Sequence, residues 1–142
     1  MDRREMVLGT MMAGASVMAT QKVLASGSMK HSKGKHMHLR KTTAECIETG
    51  QSCRTHCIKL LSKGQKNMGE CLEAVEEMLA TVEATQKLAA LDSSFLKAQA
   101  KICLDVCKAC EEVCKKHAHH HKECAECATA CKECAEACKK VA

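Results

Sequence analysis

Inward-facing positions recur along the chain at intervals of three and four residues, the spacing that keeps side chains on one face of an α-helix. Near the C-terminus the recurring residue is cysteine, at Cys124, Cys127, Cys131, Cys134 and Cys138. The preceding segment repeats the pattern with Cys103, Cys107, Cys110 and Cys114. These thiols occupy the inward a and d positions of each helix (the seam), where a helix bundle normally places leucine or isoleucine.

Residues typical of helix N-termini, and a basic last turn followed by a glycine at the end of the first helix, divide the rest of the chain into further helices. The starts are Thr42 with Glu45 in capping-box spacing, Asn67 with Glu70, and one of Asp92, Ser93 or Ser94. The predicted helices cover approximately residues 43–63, 67–91, 92–117 and 120–141. Connections this short favour an all-α fold, an antiparallel up-down-up-down four-helix bundle.

The composition supports helices around an unusual core. The chain has 13 cysteines, 9 methionines, 8 histidines, no proline and one aromatic residue of the Phe, Trp and Tyr class, Phe95. Without aromatic side chains, the core must be filled by aliphatic residues and by cysteines, which pack as small hydrophobes. The first helix adds three seam thiols, Cys46, Cys53 and Cys57, and the second adds Cys71 in line with Met68 and Met78. We therefore expect a cysteine-lined core rather than a single tetrahedral cage.

Charge and motifs argue against two classes of function. Much of the net charge of +5 lies in the first 41 residues, and beyond them acids and bases interleave as on a solvated helix surface. We therefore predict no binding to nucleic acid, which needs clustered basic residues. The sequence contains no glycine-rich phosphate loop, no His-Glu-x-x-His motif and no nucleophile paired with a base, so we predict that it is not an enzyme.

Ligand softness and charge balance select the metal. Thiolates and thioethers favour Cu(I), Zn²⁺ or iron–sulfur clusters. Zn²⁺ held by four thiolates leaves a charge of −2, and several such units in one apolar core would repel one another. Cu(I) at about one ion per thiolate leaves neutrality, so the sequence predicts on the order of a dozen Cu(I) ions. Two cysteines three apart point to one side of a helix and can chelate one ion between them, as in Cys107–Cys110, Cys124–Cys127 and Cys131–Cys134.

The Cys-rich segment from about Thr42 to Ala142 resembles the bacterial copper storage proteins, and the five in-phase cysteines of helix four are its most specific mark. The resemblance implies a homotetramer of bundles, Cu(I) as the bound ion, and a copper donor or a recipient cuproenzyme as partner. It also implies Cu(I) ligation by the inward cysteines, Cys46, Cys53, Cys57, Cys71, Cys103, Cys107, Cys110, Cys114, Cys124, Cys127, Cys131, Cys134 and Cys138. Helix two departs from a full set of thiols, because Met78 and Val82 stand where cysteines would continue the column.

Histidines and methionines mark two further candidate sites. The seams of helices three and four lead to His117, His120 and His121, which would lie at one mouth of the bundle and pass copper as weaker ligands, with Met68 and Met78 as further mouth ligands. The alternative is a polar loop whose histidines cap helix ends. His36, Met37 and His38 form a second soft-ligand cluster that would recruit copper from a linker.

The N-terminal residues have the layout of an export signal. Arg3 and Arg4 precede an uncharged, mainly apolar stretch from Met6 to Ala19, and this arrangement resembles a twin-arginine leader. The apolar stretch is too short to span a bilayer. The predicted organisation is a signal peptide over 1–25, a flexible linker over 26–41 and the bundle over 42–142. We therefore expect export to the periplasm, or otherwise out of the cytoplasm, and no stable membrane insertion.

Three alternatives remain open from the sequence. Zinc or general heavy-metal sequestration, as in metallothioneins, differs only in the ion. A disulfide scaffold suits an exported chain, although 13 is an odd number of cysteines and seam neighbours on one helix lie too far apart to bridge. A ferredoxin-type iron–sulfur protein would need a Cys-x₂-Cys-x₂-Cys run followed by Cys-Pro, which the sequence lacks.

Overall fold

The computed structural model describes residues 34–142, and four α-helices make up nearly all of this part. They are α1 (Met37–Ser62), α2 (Gly69–Ala90), α3 (Leu96–Lys115) and α4 (Lys122–Lys139). A short 3₁₀ turn, Lys66–Met68, precedes α2, and no strand occurs within the described range. The all-α prediction is confirmed.

The helices form a closed ring of four in which each packs against two neighbours. α1 packs along α2 and α4, and α3 packs along the same two helices, whereas the diagonal pairs meet only through side chains in the core, as between Cys71 and Cys124. Along α1, Cys53 lies beside Cys71 of α2 while the earlier Cys46 lies beside the later Met78. This reversed pairing shows that neighbouring helices run antiparallel, as predicted for an up-down-up-down bundle.

The core has an apolar end and a sulfur-rich remainder. At the end where α1 begins, Leu39, Ala89 and Leu96 are buried together with the hydroxyl-bearing Thr43 and Thr85. Away from this end the seams of α1, α3 and α4 carry cysteine, and that of α2 carries mainly hydrocarbon. Burying both kinds of side chain is what holds the four helices together.

The first helix begins earlier than predicted. Thr42 and Thr43 are buried inside α1, where both hydroxyls donate to the Leu39 carbonyl oxygen, so neither residue caps the helix. Because Leu39 is inserted into the core, residues 37–41, assigned to the linker, are helical instead. The predicted leader over 1–25 and the first part of the linker lie outside the described residues.

The other helix ends also differ from the predicted bounds. Asn67 lies within the 3₁₀ turn, and α2 begins at Gly69 without a side-chain cap. Asp92 has a left-handed backbone conformation (φ 49°) and Ser93 Oγ accepts from the Phe95 amide, so the third helix starts only at Leu96. Local turns compete with helix at such polar residues and delay the first helical turn.

None of the helices in residues 34–142 combines the length and the hydropathy needed to cross a membrane.

Candidate metal centre

All 13 cysteines are buried as free thiols. None of them is more than 1% exposed, and they come from all four helices. Successive seam positions stack along each helix, so the sulfur atoms form one column inside the ring. The structure therefore brings together the whole set of cysteines predicted as ligands.

The thiols form five overlapping groups in which all sulfur atoms lie within 4.8 Å of one another. The groups are Cys53–Cys57–Cys71–Cys124, Cys53–Cys114–Cys127, Cys110–Cys127–Cys131, Cys46–Cys107–Cys134 and Cys103–Cys134–Cys138. Every cysteine belongs to at least one group, and Cys53, Cys127 and Cys134 each belong to two. A thiol shared by two groups has the position that a bridging thiolate would need between two neighbouring ions.

The spacing of the sulfur atoms fits metal ligation. Across helices, Sγ–Sγ distances are 3.8 Å for Cys46–Cys131, for Cys53–Cys124 and for Cys71–Cys114. Metal–sulfur bonds of about 2.3 Å put two sulfurs on one ion ~3.8 Å apart in tetrahedral and ~4.6 Å apart in linear coordination. Small rotamer adjustments therefore suffice to place an ion between such pairs.

Thiols on the same helix pair at a spacing of four, not three. Sγ atoms lie 3.9 Å apart for Cys103–Cys107 and 3.8 Å apart for Cys110–Cys114. The five groups contain no pair three apart, so chelation of one ion by such a pair stays a prediction. At about 100° per residue, side chains four apart diverge by ~40° and those three apart by ~60°. The smaller divergence lets the sulfur atoms meet.

The buried thiols share their protons. The pKa of the Cys127 thiol is lowered because S–H groups, first those of Cys110 and Cys114, donate to its sulfur. The pKa of Cys131 is raised because its S–H group donates to Cys107 and to other neighbouring sulfurs. Burial raises the pKa further because it disfavours the negatively charged thiolate. A metal ion that binds here takes the place of these protons and releases them to solvent.

Histidines gather at the end of the bundle opposite Leu39. His121 Nδ1 lies 3.0 Å from His56 Nε2, joining the start of α4 to α1. The other ring nitrogen of His56 lies 3.5 Å from a Glu123 carboxylate oxygen. The ring of His117 is 6.4 Å from that of His121, whose pKa is lowered by burial and by the neighbouring histidines. This cluster lies beside the four-cysteine group, because His56 adjoins Cys57 and Glu123 adjoins Cys124.

A family model described as "copper storage protein" matches residues 31–142. The chain belongs to the copper storage protein family. A solved structure described as Cu(I)-bound copper storage protein BsCsp3 matches with a TM-score of 0.68 and 30% sequence identity, covering 73% of this chain and 94% of that one. No curated protein is significantly similar in sequence.

Within this copper storage family member, the second helix is the one with the fewest thiols. Cys71 is its only cysteine, and the seam continues with Val75, Met78 and Val82, all fully buried. Three-thiol groups continue past this stretch because α1, α3 and α4 supply their members. The Cys46–Cys131 contact joins the groups on either side, so the column is continuous, and it lies toward α1, α3 and α4.

Several of the predicted auxiliary ligands lie elsewhere than expected. Met78 is buried in the middle of the bundle beside Cys46 and not at a mouth, whereas Met68 lies at the histidine end. His36 pairs with Asp92 at the opposite end, where Met37 and His38 are exposed on the first turn of α1. The proposed linker cluster thus lies at the start of α1, with His36 just before it, at the end of the bundle away from the histidine mouth.

Sequence analysis missed His56 as a partner of the mouth histidines. His120 is exposed, and His56 rather than His120 contacts His121. His56 follows no seam, and only the antiparallel pairing of α1 with α4 brings it to the α3–α4 connection. Its position next to Cys57 was the one local signal available.

Proposed function

We propose that this chain stores or buffers Cu(I) by binding many ions along its buried column of thiols. The observation that carries the proposal is that all 13 thiols lie in overlapping groups that share members. Membership in the copper storage family and the likeness to a Cu(I)-bound structure support it. The proposed ligands are the 13 inward cysteines, and the proposed role is binding without catalysis.

Charge favours a monovalent ion over zinc. No lysine or arginine among residues 34–142 is buried, so negative charge on the thiolates must be balanced by bound metal. Four of the five groups contain three thiols, whereas structural zinc sites are almost always four-coordinate. Cu(I) bridged by shared thiolates needs fewer ligands per ion and leaves a core near neutrality.

Copper would enter at the histidine end. There the side chains of His117 and His121 are partly exposed, next to the four-cysteine group. Imidazoles bind Cu(I) less strongly than thiolates, and so can hand the ion inward. We propose His117, His120, His121 and Met68 as this entry set, with His56 holding His121. The opposite end is closed by buried Leu39, Ala89 and Leu96.

The twin-arginine-like leader and the family resemblance support a proposal for the cellular setting. We propose export through the twin-arginine-like leader, which would let the bundle fold in a reducing compartment before it meets oxidants. A homotetramer, and exchange with a copper donor or a recipient cuproenzyme, complete the proposal. Copper analysis of protein from periplasmic and cytoplasmic fractions of copper-fed cells tests the compartment.

Anaerobic titration of the reduced full chain with Cu(I), against a strong chelator, tests the storage function. Storage predicts tight uptake that ends near one ion per cysteine, while zinc buffering predicts about three ions of Zn²⁺ at four thiolates each. The same titration with Zn²⁺ is the matched control. Uptake of only two or three Cu(I) ions, or stronger retention of Zn²⁺ than of Cu(I) in direct competition, would overturn the proposal.

A further inference from the structure

The seam of α1 contains a position without a side chain. Cys46, Gly50, Cys53 and Cys57 follow one another at spacings of four, three and four, so Gly50 stands where a seam thiol would stand. Gly50 is buried. The glycine therefore leaves a gap in the column of sulfur at the middle of the bundle.

Met78 of α2 fills this gap. A Cβ atom added to Gly50 would lie 2.6 Å from Met78 Cε and 2.9 Å from Leu79 Cδ2, closer than packed carbon atoms approach. Met78 itself is a seam residue of α2 and is completely buried. The side chain thus crosses from α2 onto the surface of α1, and a Cβ at position 50 would force its terminal methyl group to move.

The crossing places a third sulfur beside two thiols. Met78 Sδ lies 3.4 Å from Cys46 Sγ, and Cys46 Sγ lies 3.8 Å from Cys131 Sγ. The three sulfur atoms come from α2, α1 and α4, and none of the three residues is exposed. A thioether is a soft ligand suited to Cu(I), and it carries no charge.

We propose that Met78 is a Cu(I) ligand inside the core, in a mixed site with the thiolates of Cys46 and Cys131. Cu(I) replaces the protons of the two thiols, which leave to solvent, and no change in oxidation state is involved. A neutral third donor leaves this unit at −1, where a third thiolate would leave −2 in the same apolar surroundings. The proposal rests on the proposed copper storage function and deepens it.

Selenium at methionine makes the bond directly observable. The full chain produced with selenomethionine and loaded with Cu(I) should show copper scattering in its selenium X-ray absorption spectrum. Met78→Leu, which keeps volume and removes the sulfur, should lose that part of the signal. Gly50→Ala, which displaces the methionine side chain, should weaken it as well.

Copper competition supplies a second readout. In Met78→Leu, about one Cu(I) ion per chain should have a roughly tenfold lower apparent affinity than in the unchanged protein, so that a chelator removes it at a lower concentration. Leu79→Ile, which alters packing against the same glycine without touching sulfur, is the matched control and should retain the unchanged competition curve. Circular dichroism of each apo variant establishes that the bundle is folded.

The outcomes separate this inference from the storage function. If the unchanged protein binds copper near its cysteine count, and Met78→Leu matches it in selenium spectrum and competition, Met78 is packing only and the inference is overturned. If the unchanged protein itself fails to bind copper at that level, the storage function fails first. Loss of the copper–selenium signal together with easier release from Met78→Leu supports the mixed site.

Discussion

A seam cysteine in this protein must serve two states of the core. Protonated, it packs as a small apolar side chain, and deprotonated, it is a soft anionic ligand. A leucine would satisfy only the first requirement and a surface cysteine only the second. Complete burial of each thiol therefore reflects packing and metal binding together.

Replacing Cys131 and Cys134 by serine is expected to lower the Cu(I) capacity by at least two ions. The two thiols belong to three of the five groups, and a serine hydroxyl is a hard, protonated oxygen that does not replace a thiolate. The apo bundle should remain folded, because a helical serine can bond the carbonyl four residues earlier. Anaerobic titration gives the capacity, and circular dichroism gives the helix content.

Ala128 and Ala135 provide the control for that pair. Both are buried on α4, so Ala128→Ser with Ala135→Ser introduces two hydroxyls without removing sulfur. This variant should keep the full capacity. Equal capacities in the two double variants would show that the Cys131 and Cys134 thiols do not bind copper.

At the scale of the helices, α2 and α4 have opposite kinds of core face. The seam of α2 after Cys71 carries the hydrocarbon and thioether groups of Val75, Met78 and Val82, which stabilise it without metal. The inward face of α4 consists of cysteine and alanine, which bury less hydrocarbon per residue. The order of α4 should therefore depend more strongly on copper.

Amide hydrogen exchange is expected to reveal this difference. Loading with Cu(I) should slow exchange in Lys122–Lys139 more than in Gly69–Ala90, because ligation ties five cysteines of α4 to the other helices and only one of α2. Mass spectrometry of peptides from both helices, with and without copper, measures it. Equal slowing of exchange in the two helices on copper loading would contradict the expectation.

The number of helices and the all-α class could be predicted from the sequence because both depend on the spacing of residues within each helix. The residues at which the helices start could not be predicted in this way, as α1 illustrates. Thr42 and Glu45 have the pattern of a capping box, yet burial of Leu39 draws the helix back to Met37. Capping contributes about 1 kcal/mol and burial of a leucine about 2 kcal/mol, so the tertiary contact prevails over the local signal.

For the whole molecule, bound copper becomes part of the stability of the fold. The ligands of each group come from at least two helices, so ions that bind the folded bundle oppose its unfolding. Each site adds about 2.7 kcal/mol when free copper exceeds its dissociation constant a hundredfold.

Thermal unfolding should therefore shift upward stepwise with added Cu(I), and a strong chelator should reverse the shift. Calorimetry under anaerobic conditions at increasing copper equivalents is the measurement, with the Cys131→Ser and Cys134→Ser double variant as the comparison. An unchanged midpoint across the titration would mean that copper binds outside the folded core.

The sequence by itself determined the helical class, the inward direction of the cysteines and the preference for a soft monovalent ion. Each follows from residue type and from spacing within one helix. The tertiary structure alone decided which thiols form groups, that Met78 reaches Cys46 across Gly50, and that His56 meets His121. Those pairings depend on the axial register between helices, which the packing of whole faces sets and which no local pattern records.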